Sequence, residues 1–333
     1  MKELFVADLV RHENQTVTSF FAASSKQLRT KKGGEHYLAL ILADRTGQLE
    51  CRMWDNALES SATFEQGDIV KVRGQVCRYQ ERIQVNVEQI RGALEGEYEL
   101  GDFLPKTSRD IDAMWAELAG YVESFTDPDL KALLRAFLSD PEIAAALHQA
   151  PAARSMHHAW IGGLLEHVLS LLGLCDITAK HYPHVHRDLL LSGAMLHDIG
   201  KLYELRWATG FEYTHEGTLL GHITIGIGMI DRKIAALPAF PAALRLLLLH
   251  VILSHHGRYE FGSPKLPMIP EAMLFSYLDD LDAKMQSMRN EFEKSSALGR
   301  PQGEFTDWVR ALERPLLDTS GFLAAAADKA GKQ

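Results

Sequence analysis

The apolar residues change period once, near Thr107, and that change divides the chain into two kinds of structure. Upstream, VKVRGQVCRYQERIQVNVEQI (70–90) alternates apolar and polar residues around a turn near Gln80–Arg82. A period of two places one set of side chains on one face of a strand. HYLALILADRTGQLECRMW (36–54) reads as two strands joined at Asp44–Gly47, and FEQGDIVKVRG (64–74) adds a turn at Gly67–Asp68 before another strand. Short strands with regular turns predict a small barrel, or another small antiparallel sheet, over residues 1–95. Downstream, SRDIDAMWAELAGYVESF (108–125) sets apolar residues at three- and four-residue spacing behind a Ser108 cap. The helical period persists through 108–325, with loops near 127–129, 140–141, 206–217, 238–241 and 257–270. GEYELGDFLPKT (96–107) reads as a linker and 326–333 as a frayed tail. The expected fold is multidomain: a small N-terminal β-barrel followed by an all-α helical bundle.

Charge is divided in the same way. The net charge is −9, yet residues 1–95 hold 13 basic and 13 acidic side chains. The helical part, with the other 22 of 35 basic and 31 of 44 acidic residues, supplies the whole excess. An acidic segment can still hold phosphates through bound cations. Cys51, Cys77 and Cys175 are too few and too scattered for a disulfide framework, which fits a reducing cytoplasm. The apolar run Leu244–Leu253 is interrupted by Arg245 and His250 and is too short to span a bilayer, so no membrane partner is expected.

Thirteen of the 15 histidines lie beyond residue 95. The decisive segment is GAMLHDIGK (193–201), where His197 and Asp198 close an apolar helix. A buried His–Asp pair must be satisfied, either by a mutual hydrogen bond or by a divalent cation, for which imidazole and carboxylate are ordinary ligands. GGLLEHVLSL (162–171) places His167 on an earlier apolar helix, and LFSYLDDLDAKM (274–285) places Asp279 and Asp282 on one face of a later one. His222 in LLGHITIG and His255–His256 in LHVILSHHGRYEFGSPKLP extend the set; a surface pair at a helix end is the alternative for the last two. Asp198 is a candidate ligand and proton acceptor. Lys201 either neutralises a developing phosphate charge or ends a helix near its dipole. His157 and His158 are candidates for phosphate contact. His181, His184 and His186 read as solvated, and His250 as structural.

The order H…HD…D resembles the HD phosphohydrolase superfamily, which implies a metal site of His167, His197, Asp198 and Asp279, with Asp282 the alternative to Asp279. The extra histidines resemble those of two-metal HD proteins. DFLPKT, HHAWIGGLLEH, LLLSGAMLHDIGKLYEL, EGTLLGHITIG, ILSHHGRYEFGSPKLP and SYLDDLDAKM, in that order, resemble the YhaM-type 3′→5′ exoribonuclease family. That resemblance implies an OB-fold joined to an HD domain. It implies hydrolysis of single-stranded RNA, or DNA, from the 3′ end with one or two divalent cations, manganese by preference. An OB barrel stacks bases on aromatic side chains over a cationic groove. Tyr37, Trp54, Lys31 and Lys32 are the candidates for that surface, with Lys26 and Arg29 in the same expected loop and Phe20 and Phe21 assigned to the core. Trp54 is compatible with either place. Two other functions remain open: a nucleotide or cyclic-dinucleotide phosphohydrolase, which lacks the GYP element after His256, and a non-catalytic strand-binding regulator.

Overall fold

The computed structural model describes residues 2–30, 33–79, 82–94, 96–104, 106–153, 160–207, 212–297, 301 and 303–330. The chain forms two compact units. The first contains β1 (Thr16–Thr30), β2 (His36–Asp44), β3 (Gly47–Met53), α1 (Ala57–Ser61), β4 (Ile69–Tyr79) and β5 (Arg82–Gly92). These strands close into a barrel in the order β1-β2-β3-β5-β4, with β1 returning to β4. Every pairing is antiparallel except β3 with β5. The alternation read from sequence is realised directly. Leu38, Leu40 and Leu42 point inward from β2, and Val70, Val72 and Val76 from β4, onto Phe21 at the centre. Closure removes the exposed edges that an open sheet would leave.

Four expectations need correction. Lys26 and Arg29 lie on β1, because that strand runs the full 15 residues to Thr30. The expected linker packs onto the barrel: Phe103 and Leu104 are buried, and Phe103 joins Ala22 and Ile69. Phe103 had a partner that periodicity could not reveal. The Ser108 cap is displaced by Asp110, whose carboxylate accepts from Ala113 N at 2.8 Å. The expected 206–217 loop contains a hairpin of β6 (Leu205–Arg206) and β7 (Glu212–Tyr213), which clusters with the first unit, as does 160–162. One feature of the barrel had no sequence signal. Lys2 is buried, with its ammonium 2.9 Å from Asp44 Oδ2 and 3.8 Å from the centre of the Phe21 ring.

The second unit is helical: α2 (Ile111–Glu123), α3 (Pro128–Leu138), α4 (Pro141–Leu147), α5 (Gly163–His181), α6 (Arg187–Leu196), α7 (Lys201–Glu204), α8 (His215–Ala235), α9 (Ala242–Ser254), α10 (Pro270–Ala297) and α11 (Thr319–Ala330). The backbone is helical to Ala330, which takes in the first part of the segment expected to fray. The core is packed by α5, α6, α9 and α10, with Leu171, Leu172, Leu190, Val251, Ile252 and Phe275 inaccessible. None of the described helices is long and apolar enough to cross a membrane.

Asp188, in the first turn of α6, ties this core to the α2–α3 connection. Its Oδ2 accepts from Thr126 N, Thr126 Oγ1 and Asp127 N at 2.7–2.9 Å, and Oδ1 from Arg187 at 2.9 Å. Burial pushes its carboxyl up, but these donors outweigh burial and hold it below the ordinary carboxylate range. A depressed pKa contributes stability above the unfolded value that is lost as pH falls through the folded value. Asp188→Asn should therefore cost about 2 kcal/mol at neutral pH. The deficit in melting temperature should shrink as pH falls below the ordinary carboxylate range. An equal deficit at both pH values would show that the charge is not what stabilises the junction.

Candidate metal centre

α6 ends at Leu196 and His197 caps it, so His197 and Asp198 sit where the apolar helix runs out, both inaccessible or nearly so. Two adjoining glycines shape the approach of α8. A Cβ on Gly200 would lie 2.0 Å from His222 O and 2.7 Å from Gly226 N, so only glycine lets α8 pass this close to the HD turn. Gly221, at φ +71°, kinks α8 one residue before His222. Glycine adopts that conformation without strain. His167 comes from the buried face of α5, His255 and His256 from the end of α9, and Asp279 from α10.

The imidazoles form two groups. The donor atoms of His167, His197 and Asp279 lie within 4.8 Å of one another, and so do those of His222, His255 and His256. Asp198 stands between them. Its Oδ2 is 3.2 Å from His197 Nε2 and 4.0 Å from His167 Nε2; its Oδ1 is 3.4 Å from His222 Nε2 and 4.0 Å from His255 Nε2. Asp279 Oδ1 is 3.3 Å from His167 Nε2 and 3.8 Å from His197 Nε2.

The outer nitrogens settle which atom each ring offers. His197 Nδ1 donates to Ala194 O at 3.0 Å, His255 Nδ1 to Ile252 O at 2.7 Å and His256 Nδ1 to Phe261 O at 2.8 Å. His167 Nδ1 meets Asp282 Oδ2 at 2.8 Å, and His222 Nδ1 meets Glu204 Oε1 at 3.1 Å. A carbonyl or ionised carboxylate can only accept, so the proton is on Nδ1 and a neutral ring turns its Nε2 lone pair inward. His197, His222 and His255 Nε2 are buried, with no hydrogen-bond partner among the described residues. Leaving each so costs about 1–3 kcal/mol. Divalent cations remove that cost, and imidazoles with carboxylates are ordinary donors for them.

Without a bound cation the carboxylates and imidazoles shift one another: burial pushes His167 down, but Asp279 and Asp282 outweigh it and raise it to about 9. Burial pushes Asp198 and Asp279 up, but the neighbouring histidines, joined by Lys201 at Asp198, outweigh it and hold both carboxyls well below the ordinary range. Burial pushes Lys201 down, but Asp198 outweighs it and keeps the ammonium charged. Burial holds His255 well below its ordinary value, helped by the His197 and His256 rings.

Every ligand candidate from His167 to Asp279 thus meets at one place, and His255 is buried there rather than forming a surface pair. Lys201 does not end a helix. It begins α7, and its ammonium lies 2.6 Å from Asp198 Oδ2. Asp282 stands behind His167 and also accepts from Ser170 Oγ, a supporting place that its i,i+3 spacing from Asp279 could not distinguish. Glu204 was missed altogether: it follows the motif by only a few residues, but nothing local marks it as the partner of His222. His250 Nε2 accepts from Met268 N, a structural role. His157 and His158, like Lys31 and Lys32, lie outside the described residues.

In the barrel, Tyr37 and Trp54 stack with ring centres 5.0 Å apart, and the Arg52 guanidinium lies 5.9 Å from the Tyr37 ring. Trp54 is 43% exposed, so it is surface and not core. Gln27, Arg29, Ile41 and Arg52 line a cavity of about 150 Å³ on β1–β3.

Fold and site together define a metal-dependent hydrolase carrying an OB-type barrel. Residues 24–91 match the family of OB-fold nucleic acid binding domains, and residues 164–284 match the HD domain family. The chain is 37% identical over 281 residues, 84% of each protein, to the 3′-5′ exoribonuclease YhaM of Geobacillus sp. (strain WCH70). It belongs to the YhaM family. Among solved structures, the second OB-fold domain of replication protein A from Methanococcus maripaludis aligns at 24% identity over 26% of this chain and 91% of that domain, with a TM-score of 0.21. The single-stranded DNA binding protein of Thermus aquaticus aligns at 20% identity over 25% of this chain and 42% of that one, with a TM-score of 0.23.

Asp279 and Asp282 can be separated by experiment. Removing a group that orients a ligand costs about 10–100-fold in metal affinity. Asp282→Asn should weaken binding by that amount in a calorimetric titration with manganese and leave the number of ions unchanged. Asp279→Asn should lower the number bound. The reverse pattern would exchange their roles.

Proposed function

We propose that the chain is a 3′→5′ exonuclease that hydrolyses the phosphodiester bonds of single-stranded RNA with two divalent cations, manganese by preference. The observation that carries this reading is the convergence of four Nε2 atoms, those of His167, His197, His222 and His255, on the two oxygens of Asp198, with His256 grouped beside the last two and each ring fixed from behind through Nδ1. His167, His197 and Asp279 would hold one cation, His222, His255 and His256 the other, with Asp198 shared between them. When bound, such cations polarise a phosphodiester and lower the pKa of a bound water. The chain's own contribution is orientation and charge. Asp282, Glu204 and three backbone carbonyls hold the rings, and Lys201 sets a cation beside Asp198, where it can offset charge gathering on phosphate oxygens. The barrel would hold the strand by stacking bases on Trp54 and Tyr37 beside Arg52 and Arg29. A relative named as a 3′-5′ exoribonuclease over most of both chains supports this assignment of substrate and direction.

Two measurements test the two halves. Asp198→Ala should keep its helical circular dichroism, yet lose activity on a 5′-labelled single strand by orders of magnitude at any manganese concentration. Near-normal shortening of the strand by this variant would remove the site from the chemistry. Trp54→Ala should weaken strand binding roughly tenfold, since one stacked base is worth about 1–3 kcal/mol. Unchanged affinity would take Trp54 out of the binding surface.

A further inference from the structure

Beside the metal centre, the wall of Asp198, His255 and Asp279 opens into a cavity of about 420 Å³. A second cavity, of about 380 Å³, lies alongside and shares His256, Phe261, Ser276 and Asp280 with the first. Through these shared residues the two form one trough that leads away from Asp198 and Asp279. Its far part is lined by side chains unlike those of the metal wall. Phe261 is 61% exposed and Tyr277 67% exposed, and Arg258 and Lys284 flank them. Large exposed aromatics in a concave wall are uncommon unless they meet a ligand.

The segment carrying Phe261 is built, not loose. Gly257 (φ +75°) and Gly262 (φ +83°) bracket the short 3-10 turn Tyr259–Phe261. Ser263 fastens the turn from behind, with its hydroxyl donating to Lys265 O at 2.6 Å and lying 3.2 Å from Leu253 O. The Phe261 carbonyl is the group that accepts from His256 Nδ1. One residue therefore orients a metal-facing imidazole with its backbone and presents an aromatic ring with its side chain. Tyr277, Asp280 and Lys284 recur at three- and four-residue spacing on α10, so they share one face, and Asp279 is on the same helix.

We propose that Phe261 and Tyr277 form a base-stacking subsite for the nucleotide that adjoins the scissile phosphate. The inference rests on the exonuclease reading and goes beyond it by assigning the groups that grip the base. A phosphate at the cations places its neighbouring nucleoside one cavity away, and the neighbouring cavity has an ordinary volume for a small ligand. Stacking on aromatic faces tolerates every base, as an enzyme that shortens strands of mixed sequence requires. Arg258, 5.9 Å from the centre of the Phe261 ring, adds a cation beside the same surface. Asp280 lines both cavities; its Oδ2 pairs with Lys284 Nζ at 2.5 Å, which leaves Oδ1 to accept from a ribose hydroxyl.

The test uses the full-length, manganese-loaded protein and two fluorescent probes, 2-aminopurine riboside 5′-monophosphate and its 3′-monophosphate. These carry phosphate on opposite sides of the sugar and so mimic the nucleotides on either side of the cleaved bond. At least one should be quenched saturably by stacking. Phe261→Ala combined with Tyr277→Ala should weaken that binding roughly tenfold to hundredfold. Phe261→Trp and Tyr277→Phe should retain it, and so should Trp54→Ala, which alters only the barrel. Both alanine substitutions are at exposed positions, and an unchanged metal count verifies that the double variant is folded. A wild-type protein that shortens a labelled strand but quenches neither probe overturns the subsite and leaves the exonuclease reading standing. Quenching that survives the double variant, or that is lost with Trp54→Ala, also overturns it. Quenching by a protein that shortens no strand keeps the stacking surface and sinks the exonuclease reading.

Discussion

The second unit is organised around the hydrogen bond that each site histidine makes through Nδ1. Three of those bonds go to backbone carbonyls within five residues, so local geometry alone aims the rings of His197, His255 and His256. The other two need long-range carboxylates, Asp282 for His167 and Glu204 for His222. Without the first group the rings would turn freely; without the second, two buried imidazoles would have no fixed tautomer. The inward result is a shell of lone pairs around Asp198. In a low-dielectric interior that shell is costly when unmatched and strongly attracts a dication.

The packing of the helices follows from this requirement. α5, α6, α9 and α10 form an apolar core that ends in polar groups on one side, and α8 is admitted to that side only because residue 200 has no side chain. The HD dipeptide and the glycine two residues later are thus parts of one arrangement: the first supplies two of the converging side chains, the second lets His222 reach them. The core is rigid because it is closely packed, which keeps the donor atoms at fixed separations. The barrel solves a separate problem, presenting an aromatic pair and arginines on a closed sheet.

Much of this was legible in the sequence, for identifiable reasons. Period-two and helical patterns report local burial, so the strands Asp44–Gly47 and Gly67–Asp68 separate, and the helical half, could be read directly. The convergence of these residues was legible because charged and imidazole groups inside apolar helices are anomalous and demand a partner. What was not legible depends on contacts distant in sequence. The burial of Phe103 on the barrel and the bond between Lys2 and Asp44 left no periodic trace. Nor could a spacing of three residues say which of Asp279 and Asp282 faces the histidine Nε2 atoms and which faces Nδ1. Glu204 lies 18 residues from the histidine it holds, across the β6–β7 hairpin.

The central claim is that Asp198 is shared between two cation sites built from different histidines. Crystals of the full chain soaked in manganese, with data collected at the manganese absorption edge, test it most directly. The account predicts two anomalous peaks, one within coordination distance of His167, His197 and Asp279, the other within coordination distance of His222, His255 and His256, with an oxygen of Asp198 on each. A single peak, or a peak that Asp198 does not touch, would contradict it.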